Sequence, residues 1–236
     1  MSTHKIRALF QYASPQNFYP VAGKMISWLM ILAILLSAIG FYIGFFIAPT
    51  DHQQGDAYRI IFVHVPAAWL SMVIYLAMAF WAALGLVLNT RLSSMMASAL
   101  APTGALFTFL ALWTGALWGR PTWGAWWVWD ARLTSELILL FLYVGFMALQ
   151  AAIDDPRRAD KAGAVLALVG VVNVPVIYFS VQWWNTLHQG ASISLKSAPS
   201  MALTMLLGML IMALGLWAYS IAAALMRLRC IVLERE

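Results

Sequence analysis

Four histidines and twelve tryptophans are the side chains of this sequence with most to offer a ligand. His64 stands in Tyr58-Arg59-Ile60-Ile61-Phe62-Val63-His64-Val65-Pro66, and His188 in Trp183-Trp184-Asn185-Thr186-Leu187-His188-Gln189-Gly190. Neutral imidazole is a common ligand of iron. Five of the tryptophans, Trp118, Trp123, Trp126, Trp127 and Trp129, fall in one short stretch with Gly119, Pro121 and Gly124, closed by Asp130. Indoles offer flat apolar faces and an N–H donor. Glycine and proline let the backbone turn and lie close to a bound molecule. An aromatic belt would spread over helix ends on both membrane faces. This cluster is concentrated in one segment, which suits a platform for a large planar apolar ligand.

Haem and quinone both match such a platform, and a cation could also sit on indole faces. Two histidines on opposite sides of a flat ring could fill both axial positions of an iron; the alternative for each is an ordinary interfacial hydrogen bond. His52, in Asp51-His52-Gln53-Gln54-Gly55-Asp56, and His4 are read as outside the site. Arg59 and Arg132 are candidate partners for ligand carboxylates, since guanidinium binds them bidentately. Interfacial snorkelling is the competing role, and the one assigned to Arg120. Asp130 is placed to orient an indole N–H or to pair with an arginine. Glu136 is an acid about one turn inside an apolar stretch, either functional or paired with Arg132 at i,i+4 spacing.

The elements that must carry these residues are membrane spans. The chain of 236 residues is 63% hydrophobic and 10% charged, with a mean hydropathy of +0.82. Soluble domains carry about 25% charged residues. A soluble fold of this length could not hide so much apolar surface, whereas lipid removes the need to. A helix needs about 20 mostly apolar residues to cross the hydrocarbon. Six stretches qualify: Met25–Ala48, Ile61–Leu88, Met95–Trp118, Leu133–Ile153, Ala162–Trp183 and Ser200–Met226. The first is too long for a signal-peptide core and reads as an uncleaved span. Pro66 and Asn173-Val174-Pro175 are expected to interrupt or kink spans two and five.

The predicted fold class is therefore an all-α membrane protein with six transmembrane helices and a single domain over residues 1–236. Of the fourteen Lys and Arg residues, ten fall on the side that holds both termini: Lys5, Arg7, Lys24, Arg91, Arg157, Arg158, Lys161, Arg227, Arg229 and Arg235. Arg59, Arg120, Arg132 and Lys196 fall on the other. The positive-inside rule puts both termini in the cytoplasm and leaves three short outward, periplasmic loops: Pro49–Ile60, the tryptophan-rich loop 118–132, and Trp184–Pro199. His64, His188 and the tryptophans then share one face. The Asp154–Lys161 turn joins helices on the cytoplasmic side. Basic residues at span ends set topology, and no stripe of them suits nucleic acid. The lone Cys230 cannot form an internal disulfide. Without C-x-x-C-H the chain does not attach haem as a c-type cytochrome does, and without a Walker A motif any ATP-driven step belongs to a partner.

Trp118-Gly119 followed by Trp123-Gly124-Ala125-Trp126-Trp127-Val128-Trp129-Asp130 resembles the signature of the tryptophan-rich haem-handling superfamily. With six short-looped spans, His64 before Val65-Pro66, and His188 in its Trp-Trp-Asn-Thr-Leu-His-Gln-Gly setting, the chain is similar to the cytochrome c maturation protein C family from the first span through the sixth. The resemblance implies haem b held at the periplasmic surface of the bacterial inner membrane. It assigns His64 and His188 as axial ligands and Trp118, Trp123, Trp126, Trp127, Trp129 and Asp130 as the platform. It further implies delivery to a membrane-anchored periplasmic haem chaperone. The implied assembly contains an ATP-binding-cassette pair of ATPase and permease subunits and a small single-span subunit. The protein would be a delivery subunit in lipid, not an enzyme. Three other readings are weighed. A larger cytochrome c synthase would have more spans and often a large outer domain. An electron-transfer subunit would place histidine pairs across the membrane. A transporter with an aromatic cage would need buried coupling charges beyond Glu136.

Overall fold

The computed structural model describes residues 14–184, 186–188 and 201–235; His4, Lys5, Arg7 and most of the segment 184–199, with Lys196, lie outside the described residues. The helices are α1 (Pro15–Tyr42), α2 (Ile61–Leu88), α3 (Arg91–Trp123), α4 (Ala131–Ala152), α5 (Pro156–Gly170), α6 (Asn173–Trp183) and α7 (Leu203–Arg235). A π turn at Ile43–Ile47 continues α1, and a 3₁₀ turn at Asp56–Ile60 leads into α2. Because α5 and α6 together make one crossing, the described residues hold six helical segments long and apolar enough to traverse a bilayer.

Local chemistry sets the ends. α1 starts earlier than the apolar run, at Pro15 in the first helical position, where a missing N–H costs no hydrogen bond. Asp130 caps α4 by accepting the Leu133 N–H at 2.8 Å, and Asp155 caps α5 by accepting that of Arg158 at 2.8 Å. Between α5 and α6 the chain turns at Val171 and Val172. Pro175 has no N–H to return to the carbonyl of Val171, so the ladder breaks where the sequence leads one to expect it. Asn173 Nδ2 donates to the Ser135 carbonyl at 2.8 Å and fixes the break against α4. Pro66 is buried within α2, yet that helix runs on to Leu88.

The limits of other spans also differ from those expected. α7 continues past Met226 to Arg235. α3 runs past Trp118 to Trp123, so the loop expected over 118–132 is helical at both ends and shrinks to 124–130. Of the two glycines that could end α3, Gly119 is buried and stays helical. Gly124 adopts the left-handed conformation (φ 76°), and its N–H closes on the Arg120 carbonyl at 3.2 Å.

In lipid, helix association relies on close packing rather than on hydrophobic drive. α1 lies along α7, where a Cβ on Gly40 would stand 2.7 Å from the Met212 backbone nitrogen and one on Gly215 would stand 2.7 Å from that of Ser37. α2 packs on α3, and α4 to α6 close around them. Tyr75, Tyr143, Phe107, Phe146, Met78 and Leu139 are fully buried at the centre. Tyr143 Oη donates to the Ser71 carbonyl at 2.8 Å. At one end of the bundle, Arg235 reaches both oxygens of Asp160 at 3.1 Å, and Arg91 donates to the Arg235 carbonyl at 3.1 Å. Gln150 donates to the Ala159 carbonyl at 2.9 Å, and Arg227 donates to Thr103. The tryptophan segment closes the other end.

Candidate functional site

His64 occupies the first turn of α2, with its Nδ1 3.0 Å from Thr114 Oγ1 on α3. That hydroxyl donates its own proton to the Leu110 carbonyl at 2.6 Å, so towards His64 it accepts. The imidazole is thereby held with Nδ1 protonated and the lone pair on Nε2. Trp118, one turn beyond Thr114, meets the ring edge to face at 5.6 Å. Its indole N–H donates to Gln54 Oε1 at 2.7 Å, which ties the loop before α2 to α3. A Cβ on Gly115 would come within 3.1 Å of His64 Cε1, so a small residue leaves the ring its room.

His188 reaches the same end from the segment that follows α6. Its Nδ1 lies 2.9 Å from Asp130 Oδ2. A carboxylate can only accept, so this ring too carries its proton on Nδ1 and its lone pair on Nε2. Thr186 stitches the pair together, donating to Asp130 Oδ2 at 2.5 Å and accepting the His188 backbone N–H at 3.1 Å. Trp123 packs edge to face against His188 at 4.7 Å. Burial pushes the Asp130 carboxyl up, but the hydrogen bonds from Thr186, Leu133 and His188 outweigh it and hold the group below the usual carboxylate range. For His188 burial pushes the ring's pKa down, more than the Asp130 hydrogen bond and charge raise it, and the charge of Arg132 adds to the lowering. The ring is therefore neutral at neutral pH.

His64 and His188 meet the same stretch of α3, the first through Trp118 and the second through Trp123. The half-buried Arg132, in the first turn of α4, also donates to the Ile177 carbonyl at 3.4 Å. Trp118 and Trp123 stand on α3 beside the two imidazoles. In the loop that follows, Trp126 is 57% and Trp129 79% exposed. Trp127 packs edge to face on Trp129 at 5.3 Å, and its buried indole N–H has no hydrogen-bond partner among the described residues.

Three expected placements differ. Arg59 donates to the Gly44 carbonyl at 2.7 Å, the Ala48 carbonyl at 3.3 Å and Asp56 at 3.0 Å, so its guanidinium closes the π turn after α1. Asp130 orients no indole and pairs with no arginine among the described residues; as helix cap and acceptor it holds His188. Glu136 is buried, and among the described residues no ion pair within 4 Å joins it to Arg132. The carbonyls of the buried Gly44 and Ala48 give the Arg59 guanidinium acceptors close at hand. His52 stays in the turn closed by Asp51, whose Oδ1 accepts the N–H groups of Gln53 and Gln54.

Thr114, Thr186 and Gln54 escape a reading of the sequence. Thr186 had a signal, since threonine two residues before a histidine can accept that residue's N–H in a tight turn. Thr114 had none, because a hydroxyl within an apolar helix usually bonds back to its own helix.

A bundle of six helical segments long and apolar enough to cross a bilayer, with two oriented imidazoles beside indoles at one end, defines a multi-pass membrane protein. The family model described as heme exporter protein C matches residues 8–236, and the chain belongs to that family. It is 54% identical over 186 residues to heme exporter protein C of Escherichia coli (strain K12), covering 79% of this chain and 76% of the relative. With heme exporter protein C of Haemophilus influenzae it shares 45% identity over 228 residues, 97% of this chain and 93% of the relative. A putative cytochrome c biosynthesis ccmC-like mitochondrial protein of Marchantia polymorpha is 50% identical over 159 residues, 67% of each chain.

Proposed function

We propose that this protein holds haem b at the periplasmic surface of the inner membrane and hands it to a partner in cytochrome c maturation. His64 and His188 would bind the iron through Nε2. Trp118, Trp123, Trp126, Trp127 and Trp129 would set and wall the porphyrin plane. The observation that carries this reading is the common setting of the two rings: each Nδ1 lies against a fixed acceptor, which makes Nε2 the donor atom in both. Metal-binding histidines are oriented in this way by a partner on the other nitrogen. Two imidazoles alone make a poor cage for a bare ion, but they complete a metal whose other positions a macrocycle already fills.

Of the two arginines offered to the propionates, Arg132 bears on His188, whereas Arg59 also serves the π turn. The distribution of Lys and Arg supports cytoplasmic termini and an outward-facing site. The family supports a part in haem export, and the resemblance implies as partners an ATP-binding-cassette ATPase and permease, a small single-span subunit and the haem chaperone that receives the cargo. Those partners would supply any ATP-driven step. An electron-transfer role fits less well, because the imidazole pair lies at one end of the bundle.

The test is to purify the protein with its haem and record the absorption spectrum. His64→Ala and His188→Ala are each expected to alter the spectrum or reduce the haem carried. An unchanged spectrum and content in both variants would remove axial ligation from the reading.

A further inference from the structure

The two imidazoles are not supported alike. His188 gives its Nδ1–H to a carboxylate at 2.9 Å, and that carboxylate is fixed in turn by Thr186 and by the first turn of α4. His64 gives its Nδ1–H to a neutral hydroxyl at 3.0 Å, whose own proton is committed to a backbone carbonyl. A hydrogen bond to an anion moves more electron density to the far nitrogen of the ring than one to a hydroxyl does. Nε2 of His188 is therefore the stronger donor.

We propose, resting on the haem-ligation reading above, that His188 is the anchoring ligand and His64 the ligand that yields first when haem leaves, with Asp130 and Thr114 as the positioning residues that set this order. On release the bond between iron and His64 Nε2 breaks, the lone pair returns to the imidazole, and an incoming donor takes the vacant position. No electron is transferred and no oxidant is needed. His64 sits on a helix that packs on α3, so its ring stays beside the site as the position opens. Haem would leave in stages, held by His188 until the acceptor has engaged.

The experiment compares haem retention after purification of the full chain. His64→Ala is expected to keep most of its haem with a changed spectrum, whereas His188→Ala keeps about tenfold less. Adding Asp130→Asn to His64→Ala should bring retention down by a similar factor, while adding Thr114→Val to His188→Ala should change it little. Equal retention in the two alanine variants, better retention in His188→Ala, or no effect of Asp130→Asn would overturn the order. Unchanged spectra in both alanine variants would instead sink ligation itself, a separate result. Should an alanine variant fail to fold, the midpoint potentials of Asp130→Asn and Thr114→Val decide. A larger positive shift for Asp130→Asn supports unequal ligands; equal or reversed shifts refute them.

Discussion

The two ends of the bundle are both polar, yet they use their polar groups differently. At the basic end three arginines meet acceptors on neighbouring elements, although the buried Nε of Arg229, which lies over the Tyr19 ring, has no hydrogen-bond partner among the described residues. Arg235 takes Asp160 and Gln150, Arg91 takes the Arg235 carbonyl, and Arg227 takes Thr103. Such links tie α3, α4, α5 and α7 together. At the tryptophan end the side chains are held just as firmly, but bonding capacity is left over. Both imidazoles are held through Nδ1 and make no hydrogen bond through Nε2 among the described residues, Trp126 and Trp129 stand exposed, and the buried N–H of Trp127 has no partner among the described residues. Polar groups that satisfy one another hold a fold together, whereas groups fixed on one side and open on the other are prepared for something to arrive.

The sharpest way to break this contrast is at Asp130, which serves both purposes. Asp130→Ala removes a helix cap and a buried acceptor together, for a cost of about 2 kcal/mol in thermal or denaturant unfolding. Haem content should fall with it. Loss of stability without loss of haem would confine Asp130 to capping. Arg235→Ala probes the other end. It should cost about 1 kcal/mol, since its ion pair is only partly buried, and leave haem content at the wild-type level.

The smallest expected effect is one of pH. The His188 pKa is lowered in the folded protein, so the unfolded chain binds this proton more readily. The stability contributed by a neutral His188 is complete above the ordinary histidine value of about 6.5 and is lost as pH falls below it. Asp130, also lowered, gives way only at lower pH, as the unfolded carboxylate takes up protons. Haem-free protein should therefore melt at progressively lower temperature below about pH 6.5, and His188→Asn should lessen that slope. An unchanged slope in His188→Asn would place the titration elsewhere.

What the sequence made legible is the part written in composition and spacing. Six apolar runs announce six crossings, Pro175 marks the break between α5 and α6, and the tryptophan cluster and two histidines stand out by type. What it hid depends on which of several equivalent groups meets a partner in space. Gly119 and Gly124 could each have ended α3, and packing against Trp123 and the Ala125 carbonyl keeps the first inside the helix. Arg59 and Arg132 look alike along the chain, but only Arg59 finds the open carbonyls of the π turn. Thr114 is one hydroxyl among many until α2 brings His64 against it.

The double use of Asp130 also limits how this position can drift over generations. A helix start accepts asparagine, serine or threonine nearly as readily as aspartate. None of these brings the negative charge that receives the His188 N–H and the Thr186 hydroxyl on one oxygen while the other closes the helix. A replacement that looks conservative for the fold is thus a radical one for the site, and the freedom lost there is an inheritance of the two loops having been anchored to a single side chain.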